Sequence, residues 1–326
     1  LDDDTTPFPL TGAGSTTQPR PTPDGTLYAL HDNLSSAPEV VRIPRDGELE
    51  AFTRFTHPGL EDVALGEVRS IRFAGAGDEP VQAYLVFPPG AKPAGALPLI
   101  HLIHGGPHGT FGDTWHWRWH AQTLAAAGYL VACVNFQGST SWGNDFARRI
   151  QGAWGDRPAV DVQRATDALI ESGRVDADRV AITGGSYGGY LTAWLASQTS
   201  RFRCAVNHAG VYDLTTQWAS DWTFGWPQAM GGTPWEDEAA IDRWDPARHM
   251  RGLETPMLVI HGEKDYRVPA DQARICYGIL KAKGVPARLL VFDDENHWIL
   301  KPRNSLRWFE EVFDWLHRFL APETEE

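Results

Sequence analysis

Short apolar runs, each closed by Gly, Pro, Asn or Asp, recur from Glu67 to the C-terminus and alternate with stretches where apolar residues return every three or four positions. The first kind reads as strands, the second as helices. Strands are predicted at residues 68–73, 81–87, 97–104, 130–136, 179–183, 204–208, 256–261 and 288–292, eight in all. Helices are predicted at 114–127, 159–172, 187–198, 270–283 and 304–320. Two initial strands followed by alternating units imply a mostly parallel eight-stranded sheet with helices on both faces. In such an α/β arrangement catalytic residues gather at the carboxyl ends of the strands.

Upstream the pattern changes. Residues 1 to about 25 are rich in Asp, Thr, Pro and Gly, with three prolines between Pro19 and Pro23, and are expected to be irregular. Thr26 to His31 and Glu39 to Ile43 then read as a strand pair with a turn at Arg45-Asp46-Gly47. An isolated hairpin is marginal in water, so this one either packs on the main body or belongs to a larger β structure. The expected division is a segment 1–66, irregular then hairpin and linker, and a catalytic domain 67–326.

Composition narrows the classes. The 326 residues are 42% hydrophobic and 22% charged, enough for a sizeable core. A net charge of −13, without any Lys/Arg run, argues against a nucleic-acid partner. No apolar run is long enough to span a membrane and no leader-like N-terminus is present, so a cytoplasmic location is expected. The chain begins at Leu1 rather than Met, which points to material removed upstream. Cys133, Cys204 and Cys276 lack metal-type spacing and read as buried free thiols.

The chemistry centres on Gly184-Gly185-Ser186-Tyr187-Gly188, where an apolar strand runs into a helical pattern. This is a nucleophile elbow: the serine occupies a sharp turn, and small residues two before and two after it let neighbouring backbone approach. A serine nucleophile needs an imidazole base and a carboxylate to orient that base, in the chain order Ser, acid, His for this fold. Downstream, one strand ends in His261-Gly262-Glu263-Lys264-Asp265 and another in Asp293-Asp294-Glu295-Asn296-His297. Asp265 and Glu263 are the candidate acids and His297 the candidate base. His261 reads as a packed or hydrogen-bonding residue, and Asp293, Asp294 and Glu295 as a solvated loop. Oxyanion donors are expected from the Tyr187 amide and from the loop His104-Gly105-Gly106, with Gly106 preferred. His101, His104, His108, His116 and His120 lack a companion carboxylate pattern, so no metal and no cofactor are expected. Trp218, Trp222, Phe224 and Trp226 could line an apolar pocket or pack a core.

Together, Gly184 to Tyr190, His104-Gly-Gly-Pro-His108, Gly138-Ser-Thr140, Gly155, His261 to Arg267 and Glu295-Asn-His297-Trp resemble the prolyl oligopeptidase family, most closely its acylaminoacyl-peptidase branch. The resemblance runs from about Glu67 to the C-terminus. It implies an α/β-hydrolase fold and a serine peptidase acting on short or N-acylated peptides, with Ser186, Asp265 and His297 as triad and Tyr187 and Gly106 at the oxyanion. It also places Arg267 near the primary specificity pocket; Trp222 and Phe224, from the aromatic cluster above, are the candidate apolar contacts for substrate. Dipeptidyl-peptidase and carboxylesterase activities are the enzymatic alternatives, and a silent binding module is the non-enzymatic one. Two departures stand out. Gln137 occupies a position where the family usually has Arg, and the β-propeller that usually precedes the hydrolase domain cannot fit in the first 66 residues. The resemblance therefore implies a fragment whose exposed former interface favours broader substrate access and self-association.

Overall fold

The computed structural model describes residues 9–45, 47–90 and 95–321. Twelve strands form two sheets. A four-stranded antiparallel sheet contains β1 (Ser15–Pro21), β2 (Leu27–Asn33), β3 (Ser36–Ile43) and β4 (Glu50–Ala51) in that order. An eight-stranded sheet contains β5 (Val68–Ala74), β6 (Pro80–Val86), β7 (Leu97–Ile103), β8 (Leu130–Asn135), β9 (Val175–Gly185), β10 (Cys204–His208), β11 (Met257–Gly262) and β12 (Ala287–Phe292). Its spatial order is β12-β11-β10-β9-β7-β8-β6-β5. β5 and β6 pair antiparallel to their neighbours, and the rest of the sheet is parallel.

Buried on both faces, the central strands carry nearly continuous apolar runs. Along β8, Leu130, Ala132 and Val134 face one core cluster while Val131 and Cys133 face the other. The first cluster is closed by the helices Arg157–Glu171, Tyr187–Gln198 and Asp271–Ala282, the second by Ala121–Ala126 and Pro302–Leu320. Helices thus cover both faces, and no helix among the described residues is long and apolar enough to cross a membrane. Cys133, Cys204 and Cys276 are buried free thiols; burial pushes Cys133 and Cys204 up to about 12, which leaves them unreactive at neutral pH.

Two expectations need correction. Residues 15–21, expected to be irregular, form β1. As the edge of the small sheet it tolerates Pro19 and Pro21, and it accommodates them with a register shift between Thr17 and Arg20. Residues 1–8 of that stretch, and Asp46 of the expected turn, lie outside the described residues. The helix expected at 114–127 contracts to Ala121–Ala126. Its first half is a non-helical segment tied to the N-terminal sheet from both sides: Asp32 Oδ1 accepts from the Trp115 amide at 2.6 Å, and Asp113 Oδ1 accepts from the Leu34 backbone amide, in the turn between β2 and β3, at 3.0 Å. The tryptophans of this segment do not share one buried face, Trp117 being exposed while Trp115 and Trp119 are half-buried, and a carboxylate 83 positions away outcompetes the helical pattern.

Gln137, the departure from the family pattern, is fully buried. Its Nε2 donates to the Ala76 carbonyl at 2.9 Å, while its Oε1 accepts from both Arg149 Nη1 and Arg157 Nη1 at 2.9 Å. Two arginines from neighbouring elements thus converge on the Gln137 side chain, one of them, Arg149, also pairing with Glu79 at 3.3 Å. The buried carboxylate of Asp161 accepts from the Gln137 amide at 2.7 Å within the same network.

Candidate active site

Ser186 is the single residue between the end of β9 and the start of the helix Tyr187–Gln198, with φ 60° and ψ −122°. A non-glycine residue there stores about 1–3 kcal/mol of backbone strain, which surrounding structure must over-determine. Ser186 N donates to the His208 carbonyl and Ser186 O accepts from the Tyr190 amide, each at 3.0 Å. Close approach explains the flanking glycines: a Cβ on Gly184 would lie 2.6 Å from the Gly188 carbonyl, and one on Gly188 would lie 2.2 Å from Ile103 O.

The carboxyl ends of β11 and β12 bring Asp265 and His297 together. His297 Nδ1–H donates to Asp265 Oδ2 at 2.6 Å, which leaves Nε2 free to exchange a proton. Asp265 Oδ1 accepts from the amides of Arg267 at 3.0 Å and Val268 at 2.9 Å. Burial pushes the Asp265 carboxyl up, but hydrogen bonds from His261 and His297 outweigh it and hold the group well below the usual carboxylate range. Glu263, the rival acid, pairs instead with Arg274 on the surface. Glu295 does not belong to a solvated loop: it is buried and accepts from the amides of Leu300 at 3.0 Å and Lys301 at 2.9 Å, fixing the chain just beyond His297.

Ser186, Tyr187, Gly106, His297, Arg267 and Trp222 all line one cavity of about 430 Å³, with Asp265 behind His297. Tyr187 is the first residue of its helix, so its amide is one of the donors that lack an intrahelical acceptor. Gly106 has φ 130°, and a Cβ on its neighbour Gly105 would sit 3.2 Å from the Ser186 Cβ, so this loop runs directly beside the serine. Trp226 and Val211 add apolar wall. Phe224 does not line the cavity; it is 81% exposed, its ring edge-on to Trp222 at 6.0 Å. Trp218 packs on Trp235 outside the cavity.

Four of the other histidines bond elsewhere, while His120 packs its ring against Trp115. His101 Nε2 meets Thr166 Oγ1 at 2.8 Å, His108 Nδ1 donates to the Gly138 carbonyl at 2.9 Å, and His116 Nδ1 accepts from the Trp119 amide at 3.0 Å. His104 lies 2.7 Å from Ser139 Oγ, and burial pushes it down to about 4, so it is neutral and steadies the Gly105-Gly106 loop.

Three further residues support this arrangement, of which sequence reasoning singled out only His261, as a packed or hydrogen-bonding residue. His261, read as a hydrogen-bonding residue, places its Nε2–H 3.1 Å from Asp265 Oδ2 and 2.8 Å from the Val268 carbonyl, giving the acid a second imidazole donor. His208, at the end of β10, accepts from Trp308 Nε1 at 3.0 Å through Nδ1; this leaves the proton on Nε2, which donates to the His297 carbonyl at 3.3 Å. Arg118 donates to the Trp298 carbonyl at 3.1 Å. A His ending an apolar strand was the one available signal for the first two; nothing in the sequence marked the third.

A mostly parallel sheet with a serine at the strand-to-helix turn after β9 defines an α/β-hydrolase. The model of the prolyl oligopeptidase family matches residues 115–323, and this chain belongs to that family of serine peptidases. It is 34% identical to dipeptidyl-peptidase 5 of Schizosaccharomyces pombe over 295 residues, covering 89% of this chain and 43% of that one. Among solved structures, it is similar to the acylaminoacyl peptidase of Pyrococcus horikoshii, with a TM-score of 0.88, 25% identity and coverage of 97% of this chain and 51% of the other. It is also similar to a puromycin-hydrolyzing peptidase of Mycobacterium tuberculosis, with a TM-score of 0.81, 28% identity and coverage of 92% and 47%. The chain spans about half the length of these relatives, or less.

Proposed function

We propose that this chain hydrolyses short or N-acylated peptides through an acyl-enzyme. Ser186 Oγ attacks the scissile carbonyl as His297 Nε2 takes its proton, with Asp265 holding the imidazole tautomer and stabilising its charged form. The Tyr187 and Gly106 amides receive the developing oxyanion. His297 then gives its proton to the departing amine, the C–N bond breaks, and water attacks the ester by the same route. The observation that carries this reading is the convergence of Ser186, Tyr187, Gly106 and His297 on one cavity, with Asp265 bonded behind the imidazole at 2.6 Å.

Substrate class follows from the cavity wall. Trp222, Trp226 and Val211 favour an apolar side chain at the cleavage site, and among the described residues no Asp or Glu lines the cavity. The name of the Pyrococcus horikoshii neighbour, an acylaminoacyl peptidase, supports a blocked amino end. The name of the fission-yeast relative supports a second reading, release of dipeptides from a free amino terminus. The test compares wild type with Ser186→Ala on an acetyl-amino-acid anilide, an unblocked dipeptide anilide and a short-chain ester. Serine-dependent turnover of the acetylated anilide supports the first reading and preferential turnover of the unblocked one the second. Ester cleavage without amide cleavage would refute both in favour of an esterase.

A further inference from the structure

Two guanidinium groups line the cavity, in opposite electrostatic situations. Arg267 Nε–H donates to Asp221 Oδ1 at 2.6 Å, so its charge is already matched. Arg118 has no carboxylate within ion-pair distance among the described residues. Its Nη1–H donates to the Trp298 carbonyl at 3.1 Å, and its Cζ lies 4.1 Å from the centroid of the Trp298 ring and 5.0 Å from that of Trp119. Burial lowers its pKa to about 10, which leaves it charged at neutral pH and partly stripped of water. Half-buried and held against two indole faces, this cation lines the cavity with N–H donors to spare.

Its place in the reaction identifies the anion it would meet. In the acyl-enzyme mechanism proposed above, on which this inference rests, His297 protonates the departing amine, so the departing residue lies against His297 and its neighbour Trp298. Arg118 is held on Trp298. We infer that Arg118 receives the α-carboxylate of the leaving group, so that the favoured substrates end one or two residues beyond the scissile bond with a free C-terminus. The fork is pre-organised for this. Two indole faces flank its head group, His116 Nδ1 accepts from the Arg118 amide at 3.2 Å, and Asp32 anchors the same segment at Trp115. A planar guanidinium held in place meets a carboxylate through paired N–H···O bonds, which a lysine does not reproduce.

A charge-assisted hydrogen bond of this kind is worth roughly 10–100-fold in affinity. The experiment uses the Ser186→Ala chain, which removes the nucleophile, and measures by calorimetry the binding of acetyl-phenylalanyl-alanine and of its C-terminal amide. We expect the acid to bind about 10–100-fold more tightly than the amide. The preference should collapse to near unity when Arg118→Met is added, with Arg118→Lys in between and Arg118→Gln as a second neutral replacement should the Met variant fail to fold. Because each protein supplies its own ratio, any general loosening of Trp298 cancels. Equal affinities in the Arg118 chain, no binding of the acid, or a preference that survives Arg118→Met would overturn the assignment. Wild-type turnover of the same two peptides runs in parallel. If neither is cleaved, the acyl-enzyme reading fails, while the binding ratio still decides the role of Arg118.

Discussion

Replacing Gly188 by Ala should disable the serine elbow without changing the identity of any reactive side chain. The added Cβ would sit 2.2 Å from Ile103 O and 3.1 Å from His104 O. Ordinary contact begins near 3.4 Å, so strand and helix must part by about 1 Å, a displacement typical of overpacked cores. The helix cannot yield elsewhere, because Tyr187 through Ser197 are buried and the Tyr187 and Tyr190 hydroxyls donate to the carbonyls of Trp154 and Trp244 at 2.7 Å. The shift therefore falls on Ser186 and on the Gly105-Gly106 loop beside it. Overpacking costs about 1–3 kcal/mol, partly offset by the ~1 kcal/mol that Ala gains over Gly in a helix. A misplacement of about 1 Å at the reacting atoms costs on the order of 100-fold in rate. The control is Gly278→Ala, at a helical position where a Cβ meets nothing within 4 Å; it should stabilise by ~0.5–1 kcal/mol and leave turnover unchanged. The readouts are kcat/KM on the acetylated anilide and the urea midpoint. A Gly188→Ala chain with wild-type midpoint and more than about half of wild-type kcat/KM would refute the claim that this contact sets the elbow.

Trp308→Phe removes the N–H that His208 Nδ1 accepts and leaves a buried ring nitrogen unpaired. It should cost about 1–3 kcal/mol in urea unfolding and lower kcat/KM as the His297 carbonyl loses its fixed donor; an unchanged midpoint would show that the contact carries no weight. Asp245 is pushed up to about 7, chiefly by burial, although the Ala247 and Leu214 amides donate to it. An acid whose folded pKa lies above its unfolded value of about 4 stabilises the fold fully below that value, and the contribution is lost as pH rises through about 7. Asp245→Asn should therefore flatten the fall in urea midpoint between about pH 5 and pH 8; an identical slope in both proteins would rule this out.

What could be read from the sequence was what local pattern controls. The β9 strand, Ser186 and the helix Tyr187–Gln198 are consecutive, so apolar run, glycines and helical period all point the same way. Asp265 and His297 were findable because each follows an apolar strand, although the choice of Asp265 over Glu263 came from family likeness. Contacts between distant segments left no trace. His208 depends on a tryptophan 100 positions later, and Arg118 on a carbonyl 180 positions later. The false helix at 114–120 and the missed strand β1 share this cause, since tertiary partners, Asp32 in one case and strand β2 in the other, override local propensity.

The Asp32 bond also redraws where the catalytic unit starts. Arg118 and Trp119 ride on a segment suspended from the N-terminal sheet, and Leu34 of that sheet is itself part of the cavity wall. A cut at residue 66 would retain Ser186, Asp265 and His297 and remove one side of the vessel in which they work. The boundary expected at residue 66 therefore cuts through the cavity wall rather than between two separate bodies, since Leu34 lines that wall and Asp32 holds the segment that carries Arg118 and Trp119.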